Sequence, residues 1–189
     1  MGKILFFVYD EMADFEMTLA AHILGISGKE IVLTAYEKAV VTSKPGVSYY
    51  PAVTASEALG LDDVEGIIIP GGWNRIFRDE LKELLHMLNS ESKLIAAICA
   101  APEYLAKAGI LENRRYTTTL TENYLKEIGS PDFFPRNNFV NEKVVRDRNV
   151  ITAVGNAFVD FAIEIADYFG LIENSGEKEE YSKYYKGLL

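Results

Sequence analysis

The chain has 189 residues, of which 49% are apolar, and 19 Lys and Arg against 28 Asp and Glu give a formal charge of −9. That length fits one compact domain, or one domain with a short appendage, and the apolar fraction argues against disorder. The acidic balance repels phosphate backbones and anionic lipid, so neither nucleic acid nor a membrane is an expected partner.

The first apolar run, residues 3–9 (KILFFVY), is continuous rather than alternating, which is the pattern of a strand buried on both faces. It is too short for a membrane helix and lacks the length and cleavage site of a secretory signal. Residues 15–24 have apolar positions at helical spacing, and Gly25 and Gly28 supply a stop. Residues 30–36 read as a second strand. Residues 40–52 hold Pro45, Gly46 and Pro51 and read as a loop or hairpin. A third strand covers residues 65–69 and is ended by Pro70, Gly71 and Gly72. A periodic helix follows over 79–88, then a fourth strand over 93–98 with Cys99 at its end.

Residues 101–108 form a small-residue helix closed by Gly109, and residues 121–128 a short helix. The polar stretch 131–149 suggests a hairpin around Asn141 and Glu142, and Arg114–Arg115 and Arg146–Arg148 read as solvated turns. A last strand spans 150–153 and an amphipathic helix 157–169, stopped by Gly170. The expected domain is 1–172, with 173–189 a Tyr-, Lys- and Glu-rich peripheral helix packing on it, or alternatively making a dimer contact.

Alternating strands and helices imply a mostly parallel sheet covered on both sides, with ligands beyond the carboxyl ends of the strands. Three segments arrive there: residues 10–16, residues 71–74 and Cys99. Cys99 sits among Ala96, Ala97, Ala100 and Ala101, the small neighbours that a tight strand-to-helix turn needs, with Pro102 suited to open the helix. A helix N-terminus favours thiolate, so a depressed thiol pKa is expected, although a buried inert cysteine is also common. Gly71 and Gly72, with the N–H of Ala100, could form an oxyanion hole, and are equally an ordinary turn. Trp73 could wall a pocket and Asn74 could bond a polar ligand. Glu16 and Asp14 fit a helix start, so Glu16 matters only if it faces Cys99. Cys99 is the only cysteine, so there is no internal disulfide and no Cys pair for zinc; no metal and no cofactor are expected. A lone thiol fits the reducing cytoplasm.

The combination YDEMADFE, IIIPGGWN, LIAAICAAPEYLAKAGIL, YTTTLT and NVITAVGNAFVDFAIEIADYFG resembles the DJ-1/PfpI superfamily over about residues 3–170. The resemblance implies a flavodoxin-like three-layer fold, similar to class I glutamine amidotransferase domains, with a nucleophile-elbow cysteine. It pairs Cys99 as nucleophile with Glu16, places Gly71 and Gly72 on the oxyanion side, and implies a homodimer.

Two departures stand out. Members of the family resembling proteases carry a histidine directly after the cysteine, where this chain has Ala100. Others take one from the segment matching residues 116–121, which here has none. The two histidines, His22 and His86, read as ordinary helix residues. The expected function is cysteine-dependent chemistry on a small molecule, of hydrolase, lyase or carbonyl-stress type. The alternatives are a redox-responsive stress protein oxidised at Cys99 without turnover, or a silent small-ligand binding module.

Overall fold

The computed structural model describes residues 2–189. The chain runs β1 (Lys3–Phe7), α1 (Phe15–Ile26), β2 (Glu30–Ala35), β3 (Val41–Thr42), β4 (Ser48–Tyr49), β5 (Val53–Thr54), α2 (Ala55–Ala58), β6 (Val64–Ile69) and α3 (Asp79–Ser90). It continues through β7 (Leu94–Ile98), α4 (Pro102–Lys107), α5 (Glu122–Glu127), β8 (Val144–Asp147), β9 (Val150–Ala153), α6 (Phe158–Tyr168) and α7 (Ser175–Tyr185).

Seven strands form one sheet in the order β5-β2-β1-β6-β7-β9-β8, and β3 and β4 make a separate hairpin. Within the large sheet only the β8–β9 pair is antiparallel. The continuous apolar runs of β1, β6 and β7 lie at its centre and are almost wholly buried, as strands covered on both faces must be. The chain leaves β1 toward β2 in one direction and β6 toward β7 in the other. Right-handed crossovers then put α1 and α3 on opposite faces. α6 packs beside α1 with α7 laid over it, while α2 packs beside α3. This is the three-layer, flavodoxin-like α/β class that the sequence implies, and the reversal between β1 and β6 opens a crevice at their carboxyl ends.

Three local expectations change. The first strand stops at Phe7 rather than Tyr9. Val8 still bonds Thr34, but the Tyr9 hydroxyl turns across to donate to the Pro70 carbonyl at 2.8 Å. The hairpin in the polar stretch turns at Arg148–Asn149, not at Asn141–Glu142, with Arg148 at φ 57°. β8 is an edge strand, and its mixed VVRD pattern hides it from a search for apolar runs. Arg114 and Arg146 are not solvated-turn residues. The buried Arg114 guanidinium donates to the Asp147 carbonyl and to Asn89 Oδ1, and Arg146 pairs with Glu164 and Asp167 of α6.

The tail helix α7 meets α6 through Lys178, which pairs with Glu164 and Asp167 at 2.6 and 3.1 Å, and through Ser182 and Lys186 on Asp160. Tyr185 joins Val159, Ile163 and Ile172 beneath it. Among the described residues no helix is long and apolar enough to cross a membrane.

Candidate active site

Three chain segments converge at the carboxyl edge of the central strands. The first is the start of α1. Asp14 accepts the Phe15 N–H, the Ser43 hydroxyl and the Tyr49 hydroxyl, so the β3–β4 hairpin fixes where the helix begins. One residue past Phe15, Glu16 points inward and is only 3% exposed. Its Oε2 accepts the Gly71 N–H at 2.7 Å.

The second segment is the turn after β6. Gly71 and Gly72 are required by close approach. A Cβ on Gly71 would lie 2.6 Å from Cys99 Cβ and 2.7 Å from Glu16 Oε2, and one on Gly72 would lie 2.7 Å from Met12 Cα. The third is the elbow. Cys99 has φ 63°, a left-handed conformation that costs about 1–2 kcal/mol for a residue with a side chain. Its N–H donates to the Ala153 carbonyl, and its own carbonyl accepts the Thr118 hydroxyl at 2.7 Å and the Thr119 N–H at 3.0 Å. These three bonds hold the strained turn and push the sulfur outward between Glu16 and Gly155. A Cβ on Gly155 would sit 2.9 Å from both Cys99 Sγ and Glu16 Oε1.

Glu16 Oε1 and Cys99 Sγ lie side by side, each 2.9 Å from the position that a Cβ on Gly155 would take. Burial pushes the Glu16 carboxyl up to about 7, against the opposing effects of the Cys99 and Gly71 hydrogen bonds. Burial, then the adjacent Glu16 charge, push the Cys99 thiol up to about 12. The thiol depression expected from a helix N-terminus is therefore outweighed: α4 is a six-residue helix, and desolvation beside a carboxylate acts the other way. The two groups titrate as a unit. Between about pH 7 and pH 12 the pair holds one proton, and thiolate then exists only in the form in which Glu16 keeps that proton.

The sulfur opens into a cleft of about 490 Å³. Ala13, Glu16, Gly72, Cys99 and Ala100 line its inner part, and Phe15, Trp73, Leu120, Tyr124 and Ile128 form an apolar wall. Trp73 lies in this wall, 59% exposed, with Lys44 Nζ 5.3 Å from its ring centroid. Asn74 is not part of this cleft. It faces a neighbouring depression with Tyr36, Val40 and Ile76. The oxyanion assignment also changes in detail. The Gly71 N–H is occupied by Glu16, which leaves the N–H groups of Gly72 and Ala100, the latter directed at the sulfur.

His86 Nε2 lies 2.8 Å from the Ala108 carbonyl, which makes that nitrogen a donor, and His22 is exposed on α1. Neither lines the cleft. No group of three or more potential metal ligands occurs among the described residues.

The structure adds three residues that sequence reasoning did not single out. Thr119 lines the cleft beside Cys99, and its Oγ1 accepts the Gly155 N–H at 3.0 Å. Gly155 itself stood inside the quoted TAVGNA string with no role attached. Arg75 enters the cleft wall with Nε on Glu103 at 2.7 Å and a terminal nitrogen on the Gly72 carbonyl at 2.6 Å. An arginine three residues past a Gly-Gly turn carries no periodic signal.

Comparison with known proteins gives one family: the DJ-1/PfpI family model matches residues 2–168. The chain is 32% identical over 119 residues to Deglycase PfpI of Pyrococcus furiosus, covering 61% of this chain and 71% of that one. It is 30% identical over 178 residues to an uncharacterized protease of Bacillus subtilis, covering 89% and 85%. Among solved structures, a DJ-1 superfamily protein from Agrobacterium tumefaciens superposes with a TM-score of 0.82 at 27% identity, over 99% of both chains.

Proposed function

Because the chain belongs to the DJ-1/PfpI family, we propose that Cys99 and Glu16 are the reactive pair of an enzyme acting on small reactive carbonyl compounds or their adducts. The observation that carries this reading is the apposition of the Glu16 carboxyl and the Cys99 sulfur at the floor of an apolar-walled cleft. The relative named a deglycase adds support.

In the first step the thiolate sulfur attacks the carbonyl carbon, and the C=O π pair moves to oxygen. The Gly72 and Ala100 N–H groups face the developing negative charge. Glu16 gives its proton to that oxygen. The balance is addition of S–H across the carbonyl, which yields a hemithioacetal and leaves Glu16 as a carboxylate, ready to act as base in the reverse or following step. Among the described residues the cleft has no histidine, so Glu16 carries both proton roles.

The test is consumption of a 2-oxoaldehyde and of its amine adduct by the wild type and by Cys99→Ser. Turnover lost in Cys99→Ser supports the reading, and equal consumption by both proteins overturns it. A second reading is favoured by the same lack of a cleft imidazole: Cys99 is oxidised without turnover. Peroxide would take the thiolate to sulfenate with release of water, read as a stable mass gain at Cys99.

The same reading takes the working form as a cytoplasmic homodimer. It takes residues 1–172 as the domain and 173–189 as its peripheral helix, supported by a family match that ends at residue 168. Size-exclusion chromatography with light scattering tests the dimer, a monomer mass being the contrary result.

A further inference from the structure

The geometry points to Thr119 as a catalytic hydroxyl that donates its hydrogen bond to the Cys99 sulfur, standing in the segment where related chains place an imidazole. The inference rests on the reading of Cys99 as the reactive centre.

A threonine hydroxyl has one proton and two lone pairs. The Gly155 N–H already donates to Thr119 Oγ1 at 3.0 Å, which settles one acceptor site of that oxygen. The hydroxyl proton is then free to serve another acceptor in the cleft. The Cys99 carbonyl already accepts two hydrogen bonds, from the Thr118 hydroxyl and the Thr119 N–H. Among the acceptors lining the cleft, the Cys99 sulfur is flanked by both partners of that hydroxyl: the Thr119 N–H is bonded to Cys99 itself, and a Cβ on Gly155 would lie 2.9 Å from Sγ. The backbone keeps the residue there, because the Thr119 N–H bond to Cys99 ties the two positions together at 3.0 Å.

Gly155 completes the arrangement. Its N–H orients the hydroxyl, and any side chain on it would press within 2.9 Å of the sulfur. The hydrogen bond from Thr119 acts on the thiol in the direction of thiolate, as does the Ala100 N–H, against the larger effects of burial and the Glu16 charge.

A hydroxyl does different work from an imidazole. It stabilises thiolate without exchanging a proton near neutrality, whereas histidine changes charge there. Thr119 therefore biases the shared proton of the pair toward Glu16, and Glu16 remains the proton carrier.

The test follows Cys99 alkylation by iodoacetamide between pH 5 and pH 10 in the wild type, Thr119→Val and Thr119→Ser. Thr119→Val should lower the rate above pH 7 by about ten- to a hundredfold, the range expected for losing one hydrogen bond to a charged group. Thr119→Ser should keep most of the wild-type rate. Thr119 is exposed at the cleft mouth, so its substitution leaves the core untouched; if the valine variant does not fold, Thr119→Ala repeats the measurement without added bulk. An unchanged rate in the valine or alanine variant, or an equal fall in the serine variant, overturns the inference. The readout needs no turnover, so failure to consume carbonyl compounds would count against the enzymatic reading alone.

Discussion

Gly155 and Cys99 are in such close apposition that a single added methyl group on the glycine would fall 2.9 Å from the sulfur and 2.9 Å from Glu16 Oε1. Gly155→Ala is therefore expected to separate the pair it intrudes on. Overpacking of this kind costs about 1–3 kcal/mol. The melting temperature should fall, and Cys99 alkylation should slow more than a core cavity of equal stability cost would make it. Alkylation at the wild-type rate would show that the sulfur has room to rotate away.

Glu16 makes a pH-dependent prediction of definite sign. Its folded value of about 7 lies above the ordinary value of 4.5, so the native state holds a proton that the unfolded chain has lost between those values. Stability contributed by the neutral form is present below the unfolded value and declines as the pH rises through about 7. Glu16→Gln removes this dependence. The variant should gain on the wild type by up to about 3 kcal/mol at pH 8 and by little at pH 4, measured by urea unfolding at both pH values. The same substitution should abolish the rise in alkylation rate centred near pH 7, since the singly deprotonated pair no longer exists.

The elbow stores backbone strain, because Cys99 sits at φ 63° with a Cβ. Cys99→Gly relieves it while Cys99→Ala does not. The glycine variant should be the more stable of the two by about 1 kcal/mol, less the extra entropy of its unfolded chain. Calorimetry on the two variants decides this, and a more stable alanine variant would mean that the surrounding bonds have absorbed the strain.

Glu103 is 6% exposed and holds both Arg75, at 2.7 Å, and Lys107, at 2.5 Å. Glu103→Ala leaves two cations together at the buried end of the cleft wall. It should cost about 3–5 kcal/mol. Arg75→Met leaves Glu103 with Lys107 and should cost less. Equal losses in the two variants would show that Lys107 does not compensate.

Much of this site was legible in the sequence, for particular reasons. β1, β6 and β7 are central strands, so their unbroken apolar runs mark them, and the residues at their ends were named because breakers follow those runs. The Glu16–Cys99 meeting came from the family resemblance, since a carboxylate near a helix start has an ordinary explanation of its own. Thr119, Gly155 and Arg75 lacked such marks. Their parts depend on hydrogen bonds and close contacts with distant segments, Thr119 and Gly155 with Cys99 and Arg75 with Glu103, which neither periodicity nor composition encodes. The raised thiol pKa is not legible in the sequence for a related reason: the helix end is local and readable, while the desolvation and charge that outweigh it arise from distant chain. β8 escaped because an edge strand need not be apolar.

The tail helix differs from the rest of the fold in what secures it. The parallel sheet is held by close-packed aliphatic side chains that dissolved ions barely affect. α7 has no buried residue of its own and is fastened largely by Lys178, Lys186 and Ser182 to three carboxylates of α6. Mobile ions weaken such partly exposed pairs once the Debye length shrinks toward 3 Å at molar salt. The molecule is thus divided into a unit indifferent to ionic strength and a fringe that answers to it. Amide protons of α7 should exchange in brine well before those of β1 and β7, from a molecule that otherwise remains intact.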